Sequence, residues 1–462
     1  MSQNTPLLIT GGTLVDPKQD RNSICDVLIE GERVKWVWEV GKGDAPPLPS
    51  KVKIFDAKGM VVSPGFVDLH CHLREPGEAH KENFQSGTAA AAAGGFTTIC
   101  AMPNTIPATD SEKAVSDIIN LSKNSATVRV LPIGALSINR DGMNLTNMLA
   151  LKEAGVVGFS DDGSALTDVQ LMHEALHWSK DLDLPVIQHC EDPFIVKKGV
   201  MHEGWISQKL GIPGSPAASE ASLVARDIEI AGKTQGHLHI AHVSSVLSLE
   251  HLELAKKRDI KVSAEVTPHH LVFTHDSILG QRGSGFGWPD IEQRSSLFRV
   301  NPPLREKIDS EALIDALKEG IIDIVATDHA PHSIEDKKGE FGNAMPGISG
   351  IETAFSLLLT TLVETGKMNI GELIEKFTAK PVSILPPKYA EDGVGTLVKG
   401  GVADIVIIDP EAEWVVKSDE FISKGHNTPL DGCNLKGKIV ATIHKGNFVF
   451  DINGGALTGK GG

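Results

Sequence analysis

Two histidines separated by a single residue, His70 and His72 in GFVDLHCH, open the chemistry carried by this chain. On a β-strand a spacing of two puts both imidazoles on one face, near enough to hold one ion. Such a pair also arises by accident, so its weight depends on what stands at equivalent places further along. GFSDDG, VIQHCED, HIAHVSS and IVATDHAPH supply Asp162, His189, His242 and Asp328, each where an apolar run ends. Imidazole nitrogens and carboxylate oxygens are the borderline and hard donors suited to Zn²⁺ or a similar divalent ion. An ion so held lowers the pKa of water to about 7 and polarises a carbonyl, while a nearby carboxylate shuttles the proton. Hydrolysis of an amide is the predicted chemistry. Four histidines and two carboxylates exceed the needs of one open zinc site, so the set fits one ion or two.

Donors at five strand ends meet only if those ends share one rim. From Ser63 to about Lys380 the sequence alternates β-rich runs with helical stretches: GFVDLH, FTTICAMPN, RVLPIGAL, VVGFSDD, LPVIQHCED, HLHIAHVSS, IKVSAEVTPHH and IIDIVATDHAPH are the strands. Eight βα units predict an α/β fold with a (β/α)8 barrel of the TIM type, whose catalytic mouth lies at the carboxyl ends of the strands. The interval from His275 to Arg299, with GQRGSGFGWPD, interrupts this rhythm and reads as a surface excursion or as a cover for the site.

The flanks have another texture. LLITGGTLVD, DVLIEGERVKWV and KIFDAKGMVV at one end, with ADIVIIDPEAEWVV and GKIVATIHKGNFVF at the other, are short strands punctuated by turns. They predict a small β-sandwich domain built from residues 1–62 and 386–462, around a barrel spanning 63–385.

The ordered series GFVDLHCHLREPG, AMPNT, FSDDG, QHCED, AHVSS, VNPPLR and TDHAPH resembles the motif series of dihydroorotases in the amidohydrolase superfamily, over nearly the whole chain. The related dihydropyrimidinases, hydantoinases and allantoinases usually carry a carbamylated lysine between two metals, and FSDDG contains no lysine. The resemblance implies that Asp162, in preference to its neighbour Asp161, takes that bridging place. It further implies that His70, His72 and Asp328 hold a first zinc, that His189 and His242 hold a second, and that Asp328 is the catalytic proton shuttle. Arg74 carries a guanidinium fork suited to a carboxylate. With Asn104 and His332 it is implied to clamp the substrate carboxylate, while Asn301 touches the ring or its amide. The activity implied is the reversible cyclisation of N-carbamoyl-L-aspartate to L-dihydroorotate in pyrimidine biosynthesis. PGISGIE, Pro346 to Glu352, either lends backbone groups to the ring or starts a helix.

Composition narrows the partners. With 44 Lys and Arg against 60 Asp and Glu, the net charge of −16 lacks the basic surface that nucleic acid requires. No run approaches the roughly 18 apolar residues of a membrane span. Five scattered cysteines, Cys25, Cys71, Cys100, Cys190 and Cys433, form neither a disulfide framework nor a CxxC clip, which points to a reducing, cytoplasmic setting. Cys71 and Cys190 neighbour proposed ligands, so strand alternation turns them away from the metal. His173, His177, His269, His270 and His426 fall off the strand-end pattern and are set aside. No GxSxG elbow or P-loop occurs. The rival readings are a hydantoinase or allantoinase type of cyclic amidase, and an inactive structural partner of aspartate transcarbamoylase. A homo-oligomer, or docking to that transcarbamoylase, is compatible with the sequence.

Overall fold

Four apolar residues follow one another at Ile405–Ile408, and a strand with that pattern must be covered on both faces. The computed structural model, which describes residues 5–282 and 286–452, shows the two covers. Ile405 and Ile407 enter an apolar cluster with Ile9, Val27, Val62 and Ile443. Val406 and Ile408 point the opposite way, into a larger core with Phe66, Phe96, Phe355 and Phe377.

The strand Val61–Pro64 is the joint between the two ends of the chain. It runs parallel to Leu7–Asp16, with Thr13 opposite Val61, and antiparallel to Ile405–Val415, with Val62 opposite Ile407. Arg21–Glu30, Arg33–Glu39, Lys53–Asp56, Asn434–His444 and Asn447–Asp451 complete one eight-stranded sheet. The expected sandwich of two sheets is therefore not what the hydrogen bonds draw: Val61–Pro64 links strands from both ends into a continuous sheet. The cluster around Ile9 collects residues from strands across this sheet, so the sheet curls around it.

Between the flanks, strand and helix alternate in an α/β fold. Phe66–Cys71, Phe96–Ala101 and Arg129–Pro132 pair in parallel. Gly134–Ala135, two residues on, begins a second parallel series through Phe159–Ser160, Val186–Gln188, Leu238–Ile240, Val262–Val266 and Ile324–Val325. A parallel bridge between Cys71 and His329, with His72 N–H donating to the His329 carbonyl at 3.0 Å, links the last strand back to the first. The helices follow from amphipathic spacing and capping. In Val169–Leu182, Met172, Ala175, Leu176 and Ser179 are buried on one stripe, and the Asp168 carboxylate accepts the N–H groups of Gln170 and Leu171.

Strand alternation sorts the side chains into two layers. Ile99, Val130, Val186, Leu238 and Val325 face outward to the helices. Val67, Leu69, Cys100, Met102, Leu131, Ile187, Ala241, Ile324 and Ala326 face inward, where Val382, Ile384 and Leu385 close the floor. The next inward positions above this apolar plug are Asn104, His189 and Asp328, two residues beyond Met102, Ile187 and Ala326. In the first strand the register shifts between Asp68 and Cys71. This bulge changes the phase, so that Leu69 joins the plug while His70 and His72 face the space above it.

The interval 275–299 is more than a surface excursion. Trp288 and Phe298 are buried in a cluster with Phe273, Val416, Leu430 and Leu435, and Trp288 Nε1 donates to the Asn434 carbonyl. Arg282 donates to the carbonyls of Pro289, Pro429 and Asp431. Gly283–Gly285 lie outside the described residues. Among the described residues, no helix is long and apolar enough to cross a membrane. None of the five cysteines is in a disulfide, and Cys71 and Cys190 lie in the outer core, turned from the interior as alternation requires.

Candidate metal centre

The six donors proposed from sequence converge. His70 Nε2 lies 3.4 Å from Asp162 Oδ1, and His72 Nε2 lies 3.4 Å from Asp162 Oδ2. Asp328 Oδ1 is 3.5 Å from His70 Nε2 and 3.1 Å from His72 Nε2. On the other side His189 Nδ1 and His242 Nε2 stand 3.6 and 3.5 Å from Asp162 Oδ1. Ligands about 2.1 Å from one tetrahedral ion are separated by roughly 3.4 Å, so most of these spacings match those between ligands of one ion, while His72 Nε2–Asp328 Oδ1 and, at 2.9 Å, His189 Nδ1–His242 Nε2 are within hydrogen-bond distance. Asp162 belongs to both groups, His70–His72–Asp162 and Asp162–His189–His242.

Two observations show that the donors suit a cation. His70 Nε2 and Asp162 Oδ1 face each other while buried and without any hydrogen-bond partner, which is costly unless a metal satisfies them. The electrostatics agree. Burial pulls the imidazoles of His70 and His189 down, but the surrounding carboxylates overcome it and push both up, His189 to about 10. Conversely, burial pushes Asp162 and Asp328 up and the imidazoles hold both well below the carboxylate range. The pocket favours positive charge among ionised carboxylates.

Three of the four histidines are oriented from behind. His70 Nδ1 bonds Glu265 Oε1 at 2.6 Å, His72 Nδ1 bonds Asn104 Oδ1 at 2.9 Å, and His189 Nε2 bonds Glu191 Oε2 at 3.2 Å. Each bond turns the opposite ring nitrogen toward the centre, where His70 Nε2 has no partner, His72 Nε2 meets Asp328 and His189 Nδ1 meets His242 Nε2. His242 has no such brace. Its φ of 33° turns it in from a position adjacent to the inward Ala241, and Asp328 and Arg74, at φ 44° and 59°, share this left-handed conformation. Backbone held there is strained, and the strain is concentrated where the donors are aimed.

A cavity of about 200 Å³ adjoins the donors and is lined by Arg74, Asn104, Asn301 and His332 among others. All four proposed substrate contacts thus share one space with His72, Asp162 and Asp328. Arg74 is 8% exposed, and its Nε donates to the Pro331 carbonyl. His332 Nε2 makes a 2.9 Å bond to the Pro346 carbonyl and so carries the hydrogen; the Arg74 amino group at 3.3 Å is a contact. Burial, with Arg74, Lys337 and Lys81 nearby, holds His332 at about 3, so the ring is neutral. The PGISG backbone forms a wall of the cavity: at Gly347, φ 142°, a Cβ would stand 2.7 Å from that of Ala330.

Asp161 is directed elsewhere. It accepts the N–H groups of Leu136 and Ser137 at 2.9 and 3.0 Å and the Ser137 hydroxyl. His173, His177 and His426 are exposed, and His270 is satisfied by Thr267 and the Pro302 carbonyl. His269 differs from the expectation for this group: it is buried, its Nε2 has no partner, and it lies within the electrostatic reach of Asp328, His242 and His70.

Sequence reasoning missed Glu265, Glu191 and Lys337. Glu265 is on the inward phase of SAEV, two residues beyond Ser263, and a charged residue inside a buried strand is its only signal. Lys337 is buried, which lowers it to about 7, and it donates to the carbonyls of Met345 and Gly347, holding the cavity wall.

Known proteins bear on this site. A family model described as Dihydro-orotase-like matches residues 59–248. A dihydroorotase of Geobacter metallireducens is 42% identical over 446 residues, which is 96% of this chain and 99% of the relative. One from Aquifex aeolicus is 42% identical over 445 residues, with the same coverage. Among solved structures, dihydropyrimidinase from Brevibacillus agri matches with a TM-score of 0.80 at 22% identity, over 98% of this chain and 96% of that one. L-Hydantoinase from Arthrobacter aurescens matches with a TM-score of 0.81 at 23% identity, over 96% of each. These two share the fold, whereas the first pair shares sequence along almost its full length: the chain belongs to the dihydroorotase family.

Proposed function

We propose that this chain is a zinc-dependent cyclic amidohydrolase that interconverts N-carbamoyl-L-aspartate and L-dihydroorotate in pyrimidine synthesis. The reading rests on one juxtaposition: a buried guanidinium, Arg74, opens into the same small cavity as Asp162, Asp328 and the histidine donors. A substrate that needs both must be an amide carrying a carboxylate.

His70, His72 and Asp328 would hold one ion, and His189 and His242 a second, with Asp162 between them. Zinc, when bound, supplies an activated water and polarises the ring carbonyl. The chain's own residues do the rest. Asp328 takes the proton released on attack and returns it to the departing ring nitrogen. Arg74, Asn104 and His332 hold the substrate carboxylate, His332 by turning its Nε2–H from the Pro346 carbonyl to the substrate; the Asn104 oxygen is committed to His72, which leaves its NH₂ to face the substrate. Asn301 meets the ring amide at the rim. Under this reading residues 63–385 form a closed (β/α)8 barrel, residues 1–62 and 386–462 form a small β domain, and the enzyme works in the cytoplasm.

Ring opening of dihydroorotate by zinc-loaded protein, followed in the ultraviolet beside hydantoin and allantoin, tests the proposal. Turnover confined to dihydroorotate is expected. Turnover of hydantoin or allantoin alone assigns the site to a different cyclic amide, and inactivity on all three removes the enzymatic reading.

A further inference from the structure

Outside the cavity, three side chains from three separate segments converge. His202 ends the short strand Met201–His202, His275 opens the turn His275–Leu279, and Glu306 precedes the helix Lys307–Glu319. Each offers one donor atom, and the three atoms lie within 4.8 Å of one another. Both imidazoles are buried, while the Glu306 side chain is 46% exposed. His202 Nε2 and Glu306 Oε1 are 3.8 Å apart, too far for a hydrogen bond and within the span of two ligands on one ion. The two rings are 5.3 Å apart, the same separation as His70 and His242.

One donor nitrogen of the trio stands buried without a partner. His275 Nε2 lies 3.8 Å from the Asp276 carboxylate, beyond hydrogen-bond distance. Its Nδ1 is buried with no hydrogen-bond partner. His202 Nδ1 lies 3.4 Å from an Arg305 amino group that already donates to the Ser215 carbonyl at 3.0 Å. Arg305 Nε donates to the Ser244 hydroxyl at 3.0 Å as well, so the guanidinium does not depend on the ring. Arg305 can only donate to His202 Nδ1, which puts the ring hydrogen on Nε2; an ion at Nε2 requires that hydrogen on Nδ1 and replaces this 3.4 Å bond. Two imidazoles and a carboxylate, open to solvent on one side, are the donor set of a divalent transition metal.

We propose that His202, His275 and Glu306 bind one Zn²⁺ or similar ion, separate from the catalytic centre, which fastens the 201–215 excursion to the segments beginning at His275 and Glu306. Its role is structural. The excursion is a two-stranded ladder, Met201–His202 with Gly214–Ser215, around one short helix, Trp205–Leu210, and an ion would add to the packing of Met201 and Ile206 against Phe273 and Phe298.

Metal content measured by difference tests this. Chain loaded with excess Zn²⁺ and desalted is compared with His275→Ala and Glu306→Gln, each checked for folding by circular dichroism. Wild-type chain is expected to retain one ion more than His275→Ala, and its melting temperature to rise further with zinc. Glu306→Gln, a change near the surface, is expected to weaken that ion's binding about tenfold or more. Equal metal content and an equal zinc-dependent rise in melting temperature in all three proteins overturn the proposal. Should His275→Ala fail to fold, the Glu306→Gln comparison decides alone.

Discussion

Glu265 Oε1 accepts the His70 Nδ1 hydrogen at 2.6 Å, while Oε2 meets His239 Nε2 at 3.1 Å. Burial pushes this carboxyl up, but His70 and His239 overcome it and hold Glu265 at about 2. The carboxylate therefore fixes both the angle and the tautomer of a proposed ligand. Glu265→Ala is expected to lower metal affinity by roughly 10- to 100-fold, as loss of an orienting partner does elsewhere. Competition with a chelator of known affinity measures this, and unchanged affinity removes Glu265 from the centre.

Arg74→Met takes away a buried positive charge that faces the cavity. KM is expected to rise and kcat/KM to fall by about 100-fold or more, given the roughly 2–5 kcal/mol lost when one member of a buried charge pair is truncated. Metal content should stay the same, since Arg74 touches no donor nitrogen of His70, His72, His189 or His242. Steady-state kinetics and metal analysis on one preparation separate the two effects.

Asp328→Asn keeps the shape of the side chain and removes its basicity. A loss of about 100- to 10,000-fold in kcat is expected from the absent proton transfer. Circular dichroism should be unaltered. Near-normal turnover eliminates Asp328 as the shuttle.

Asp404 ties the curled sheet to the parallel strands: Arg129 donates to Oδ2 at 2.8 Å, and His444 and the Lys445 N–H meet Oδ1 at 2.9 and 2.8 Å. Burial pushes its carboxyl up, yet His444 and Arg129 bring it from 3.8 to about 2. Because the folded value is the lower, its stabilisation is complete above the unfolded pKa of about 4 and disappears as pH falls toward 2. A gap of that size corresponds to about 2 kcal/mol. Denaturant titrations between pH 5 and 2 should show an acid limb that is shallower in Asp404→Asn, and identical limbs refute the assignment.

The donors were legible because chemistry and position coincide in them: His70, His72, Asp162, His189, His242 and Asp328 all end apolar runs, and parallel strands put such ends on one rim. The preference for Asp162 over Asp161 came from the resemblance; what FSDDG could not tell is why Asp161 turns elsewhere, which is that it accepts the N–H groups of Leu136 and Ser137. Glu265 stayed hidden because a period of two tells which residues share a face, not which face is inside. The one-sheet character of the flanks was equally unreadable. Val61–Pro64 has four residues, and nothing in VVSP announces partners on both sides, one of them more than 340 residues away.

That distant pairing has a consequence for how the protein is made. When the ribosome has produced Leu7–Pro64, one edge of Val61–Pro64 has no strand to bind, and its partner Ile405–Ile408 is translated only after all the parallel strands. The open edge, with Val61 and Val62 uncovered, persists through most of synthesis and is the kind of surface on which nascent chains associate wrongly. Closure is a late, long-range event, so the same few residues that join the two ends also make completion of the fold wait for the last of the chain.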